Sequence, residues 1–199
     1  MRKTALLPFI LLLALAVPAA AQPDDPRCRT MACRKPGTSS LRLADGQRIG
    51  LPAPAAPYFT GSVLSIVPGE TVVLGFSRTP QGLSAPVLLQ VSDAAGAVDI
   101  GASPTADMSL SFSLAQEEGK PDMVLTVVNK TDVMIKYDAH MYFPAAEGVR
   151  NSATSSCPLM PVLSSGQGFS VFESWPHPIA LLLIGRIRTL TPDATAICN

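Results

Sequence analysis

From Val133 to Phe143 the side chains sort into two sets at every second residue. Val133, Ile135, Tyr137, Ala139, Met141 and Phe143 form the apolar set, and Met134, Lys136, Asp138, His140 and Tyr142 form the other. Successive side chains of a strand point to opposite faces, whereas a helix repeats about every 3.6 residues and would scatter both sets around its axis. The segment therefore predicts a strand with one dry face and one wet face.

Other segments read the same way. Met108, Leu110, Phe112 and Leu114 alternate with Ser109, Ser111 and Ser113, and Met123 to Val128 is apolar on both faces, as a central strand is. Leu41–Leu43 and Gln47–Ile49 flank Asp45-Gly46, a hairpin signal. Further strands are expected at 62–67, 71–76, 87–91, 169–172 and 179–190. Turn signals such as Pro68-Gly69, Gly96, Glu117–Asp122 and Asn129–Asp132 recur about every ten residues. Three stretches are expected to be irregular: the proline-rich Leu51–Pro57, Pro144–Pro161, and Trp175-Pro176-His177-Pro178, where two prolines remove two donors. No helical stripe and no internal repeat is found outside the N-terminal segment. The fold class is all-β, an antiparallel β-sandwich with immunoglobulin-like topology, the alternative being a small β-barrel. A membrane-spanning barrel is not expected, because the strands are short and aromatic girdles are missing.

Met1-Arg2-Lys3 is basic, Ala5 to Val17 is apolar, and Ala19-Ala20-Ala21 is a small-residue cleavage site. Residues 1–21 thus have the plan of a signal peptide, with an apolar run too short to span a membrane. The mature protein is expected to be periplasmic or secreted, with no membrane span after cleavage. Cys28 follows Pro26-Arg27 rather than the cleavage site, so lipidation is not expected. Residues 22–57 read as an extended, Pro-rich arm and 58–199 as the sandwich domain.

The chain has 15 basic and 15 acidic residues, and loss of Arg2 and Lys3 leaves 13 against 15. That balance argues against nucleic-acid binding, which wants a clustered basic excess. Arg27, Arg29, Arg34 and Lys35 are locally basic, either as a contact for an anionic surface or as a solvated tail. In an exported chain the four cysteines read as disulfides, with Cys28–Cys33 and Cys157–Cys198 favoured among three pairings. Their spacing does not suit zinc.

The period-two pattern puts Asp138 and His140 on one face, where a carboxylate could orient an imidazole. Trp175 and His177 lie in a backbone stiffened by proline, a reasonable binding edge or an apolar plug. Copper bound by His140 with Met141 is excluded, because neighbours in a strand face opposite ways. There is no Gly-x-Ser-x-Gly elbow, phosphate-binding loop or dinucleotide fingerprint, and no cofactor or metal is expected. Asn129-Lys130-Thr131 matches a glycosylation triplet. The expected function is non-catalytic: binding or assembly in the cell envelope, through loops at Trp175 to Pro178 and an exposed strand edge, with an envelope protein or surface component as partner. The alternative is an envelope enzyme or metal-binding protein using His140, Asp138 and His177. A small-ligand carrier with a pocket between the sheets is a third possibility.

Overall fold

The computed structural model describes residues 25–93, 96–98, 100, 105–145, 148–162 and 168–191. The expected signal peptide and Cys198 lie outside the described residues. After a 3-10 turn at Pro26–Arg29 and a two-residue strand at Cys33–Arg34 comes a hairpin, β1 (Gly37–Arg42) and β2 (Arg48–Ala53). Eleven longer-range strands follow: β3 (Phe59–Thr60), β4 (Val63–Ile66), β5 (Thr71–Phe76), β6 (Val87–Asp93), β7 (Gly96–Val98), β8 (Met108–Gln116), β9 (Met123–Asn129), β10 (Met134–Ala145), β11 (Gly148–Ser155), β12 (Phe169–Trp175) and β13 (Leu181–Leu190). They form a six-stranded sheet in the order β7-β6-β5-β8-β9-β12 and a five-stranded sheet in the order β11-β10-β13-β4-β3. Every pairing is antiparallel, and neither sheet closes into a barrel.

The inward set of each alternating strand enters one shared core. Leu110, Phe112 and Leu114 of β8 and Ile135, Tyr137 and Ala139 of β10 are each fully buried. The Phe112 and Tyr137 rings meet edge to face across the two sheets, with centroids 5.3 Å apart at 85°. This arrangement suits the aromatic quadrupole. β9 buries its odd-numbered residues, and Asn129 at its end is buried too. The Asn129 amide nitrogen donates to the Val133, Leu159 and Met160 carbonyls, at 3.1, 3.3 and 2.8 Å. A side chain so engaged cannot accept a glycan, so the sequence triplet has a structural explanation.

Three expectations need correction. Leu51–Pro57 is regular for most of its length, as β2 runs to Ala53 and Ala56–Pro57 pairs with Cys33–Arg34. Pro52 opposes Thr38 in a two-stranded ribbon, where its missing donor can face away from the ladder. The stretch Pro144–Pro161 contains β11, a polar edge strand without the alternation that betrays a half-buried one.

The arm is the third correction. Arg27, Arg29 and Lys35 are exposed, but the arm is anchored, for Arg34 is buried and Leu41 lies fully buried in the common core. The Gln116 side chain accepts from the Arg42 amide at 2.8 Å and donates to its carbonyl at 2.9 Å. Arg34, taken from sequence as part of an exposed basic loop, is buried. It grips Glu70 in a two-pronged pair at 2.5 and 2.7 Å, and donates to the Ser65 carbonyl at 3.2 Å. Glu70 also accepts from the Val67 amide at 2.8 Å, and the Arg34 guanidinium lies 5.2 Å over the Tyr58 ring. Burial and the Glu70 charge push the Tyr58 hydroxyl up to about 12, so it stays a neutral phenol. Cys28 and Cys33 form a disulfide as expected, and Cys157 is also disulfide-bonded.

Between Lys136↔Arg188 and Asp138↔Gly185, two residues of β13 oppose one of β10. Arg186 takes a left-handed φ of 49° at this bulge. The extra residue restores phase: Leu182 and Ile184 point inward before it, and Ile187 packs on the core after it. A left-handed side-chain-bearing residue costs about 1–2 kcal/mol. Arg186→Gly is therefore expected to raise stability by about 0.5 kcal/mol after the chain-entropy cost of glycine. Urea unfolding checks this, and a loss of stability would show that the arginine's ion pair outweighs the strain.

Candidate functional site

The outer face of the five-stranded sheet carries the polar cluster expected at Asp138 and His140. Asp138 accepts from Ser155 Oγ at 2.8 Å and Arg188 Nη1 at 3.0 Å on one oxygen, and from Arg186 Nη1 at 3.2 Å on the other. Burial works to raise its pKa. The hydrogen bonds from Ser155 and Arg188, with the charges of Arg188 and Arg186, outweigh that and hold it below the ordinary carboxylate value. Both oxygens are thus occupied, and no hydrogen bond joins Asp138 to His140 among the described residues. Exposed His140 lines a shallow hollow of about 320 Å³ with Val63, Tyr142 and Leu183. The two side chains share a face as predicted, but the carboxylate does not orient the imidazole.

Trp175 and His177 are spent elsewhere. Trp175 opposes Met123 and packs partly buried against the core. The His177 ring meets Phe143 at 4.8 Å and 61°, and its Nε2 is shielded from solvent without a hydrogen-bond partner among the described residues. Phe143 belongs to the inward set of β10, and His140 to the outward set. His140 and His177 therefore lie on opposite sides of one strand and cannot serve one ion or one proton transfer. Trp175 is the last residue of β12 rather than part of an irregular stretch, and the chain leaves the strand at Pro176. Among the described residues no three His, Cys, Asp or Glu side chains are grouped to hold a metal. An apolar hollow of about 370 Å³, lined in part by Leu51, Pro52, Tyr142 and Val149, opens outside the sheets rather than between them.

The strand edge is the feature that remains. β12 pairs with β9 over Phe169 to Trp175, and no strand pairs with its other side among the described residues. Phe169, Val171, Glu173 and Trp175 are half-buried, while Ser170, Phe172 and Ser174 are exposed. Phe172 is 69% exposed at the middle of this strand. Edge strands are normally blunted by lysine, proline, bulges or shortness. β7 and β3 are short, with three and two residues, and β11 carries Arg150 and a polar sequence. β12 is seven residues long and has no lysine, proline or bulge, and its one such device is the inward-pointing charge of Glu173. An exposed edge is expected from the sequence, whereas Phe172 is not among the expected site residues. The signal was its phase: in Phe-Ser-Val-Phe-Glu-Ser-Trp it shares the wet positions with two serines.

Glu173, the only charge on the strand, points inward and accepts from the Tyr137 hydroxyl at 2.7 Å. Burial raises its pKa above the ordinary glutamate value, partly offset by the Tyr137 hydrogen bond. A raised folded-state pKa means that the ionised form costs stability at neutral pH. That cost disappears as pH falls through the folded pKa toward the ordinary value. Glu173→Gln, which can still accept from Tyr137, is expected to stabilise the protein at pH 7 and to have little effect near pH 4. Thermal melts at the two pH values test this, and equal effects at both would contradict it.

No family model matches this chain, and no curated protein or solved structure matches it either. Function has to be read from the geometry.

Proposed function

We propose that the chain is an exported, non-catalytic protein of the cell envelope, on an immunoglobulin-like sandwich frame, that binds or assembles by strand addition at the β12 edge. The observation that carries this reading is Phe172, a large apolar side chain held 69% exposed at the centre of a seven-residue edge strand. In strand addition the free backbone groups supply affinity and alternate side chains supply specificity. Phe172 would be the side chain a partner covers. Export is supported by the plan of residues 1–21. Non-catalytic action is supported by the engagement of Asp138 with Ser155, Arg186 and Arg188, by His177 being packed on Phe143, and by the separation of the two histidines.

The test compares tagged mature chain with its Phe172→Lys variant in capture from envelope extracts. Surface substitutions usually change stability by less than about 0.5 kcal/mol, so the variant is expected to fold normally and to recover at least tenfold less partner. Equal recovery by both proteins, with a chain that stays monomeric in solution, would overturn the proposal.

A further inference from the structure

We infer that the partner completing the β12 edge is a second copy of this chain, joined about a two-fold axis through Phe172. This deepens the strand-addition reading and rests on it. A two-fold interface is made of one patch on both subunits, so the patch must complement itself. The sequence of β12 is nearly symmetric about its centre: Phe169 and Trp175 are aromatic ends, Ser170 and Ser174 match, and Val171 and Glu173 flank Phe172. Antiparallel pairing about that centre sets Phe172 against its own copy, Ser170 against Ser174, and Phe169 against Trp175. Directly opposed side chains in such a pair stand about 4.5–5.5 Å apart, and aromatic pairs are favourable there. The small serines on either side leave room for the two rings.

Charge fits the same conclusion. A two-fold axis brings like charges together, so a self-pairing edge must be nearly neutral. The one charged residue, Glu173, would face Val171, and its carboxylate is turned away toward Tyr137. No arginine or lysine lies on the strand. Area sets the strength. A strand of this length spans roughly 24 Å. Edge pairing alone then buries less than the ~800 Å² per partner of a standard interface. The dimer should be weak and concentration-dependent, with a Kd on the micromolar scale.

Sedimentation equilibrium of the mature chain, from low micromolar to several hundred micromolar, should show reversible monomer–dimer exchange. Phe172→Lys should weaken it at least tenfold. Cysteine pairs report the register, since a disulfide needs Cα atoms within about 7 Å. Phe172→Cys should cross-link to itself, and Ser170→Cys should cross-link to Ser174→Cys. Ser170→Cys should not cross-link to itself, the two copies being about 14 Å apart along the strands. The serine variants keep the test alive if Phe172→Cys fails to fold.

A chain that stays monomeric throughout, or that cross-links as well through Ser170→Cys alone, overturns the inference. The envelope capture separates the two levels. A monomeric chain whose Phe172→Lys variant loses its captured partner removes self-pairing and leaves strand addition standing. A monomeric chain with unchanged capture removes both.

Discussion

Arg34→Ala is expected to lower stability by about 3–5 kcal/mol, because it leaves the Glu70 carboxyl buried without its partner. For a chain of this size that corresponds to a melting temperature lower by roughly 10 °C. The pair is sealed, with side-chain exposures of 7% and 2%, so solvent cannot step in for the missing guanidinium. Replacing both groups by apolar residues, as in Arg34→Met with Glu70→Leu, should recover much of the loss. Recovery should be incomplete, because the Val67 amide and the Ser65 carbonyl each lose a side-chain partner. Thermal unfolding of the single and double variants measures both effects. A change below about 0.5 kcal/mol for Arg34→Ala would mean that the arm is not clasped to the sheets in solution.

The second large effect comes from comparing two phenylalanines. Phe112→Ala removes a fully buried ring from the centre of β8 and leaves Tyr137 facing a cavity. The cost should be about 3–5 kcal/mol. In urea the midpoint should fall while the slope is unchanged. Phe172→Ala makes the same chemical change at a site 69% exposed, and its cost should be near zero. Comparable losses from the two substitutions would show that Phe172 is covered, and the edge would cease to be a candidate surface.

The strands legible in the sequence are those with one wet and one dry face. Val133 to Phe143 and Met108 to Leu114 declare themselves, because every second residue had to be apolar to reach the core. β11 does not, because an edge strand exposed along most of its length has no such demand on it. The bulge at Arg186 left a trace that strict alternation obscures: Ile184 and Ile187 are three residues apart, yet both point inward. The burial of Arg34 is hidden in the sequence for a different reason. A buried cation is unrecognisable until its counter-charge is located, and Glu70 lies 36 residues further along the chain.

The candidate site was legible only in part. Period two placed Asp138 and His140 on one face. It could not say that Ser155, Arg186 and Arg188 would occupy the carboxylate, since those residues arrive on neighbouring strands through sheet order. Trp175 and His177 drew notice for their chemistry and stiffness, which serve packing equally well. Phe172 is the expected end of a strand over 169–172, and its phase with Ser170 and Ser174 stands out only when the strand runs on to Trp175.

Amide hydrogen exchange along Phe169 to Trp175, at low and high protein concentration, tests the free edge most directly. In a strand paired on one side, alternate amides point to the neighbour and the rest point away. In dilute solution the amides directed at β9 should exchange slowly and the intervening ones fast. At high concentration the fast set should slow while the other strands keep their rates. Slow exchange at every amide of this strand in dilute solution would contradict the account, because the edge would already be covered in the single chain.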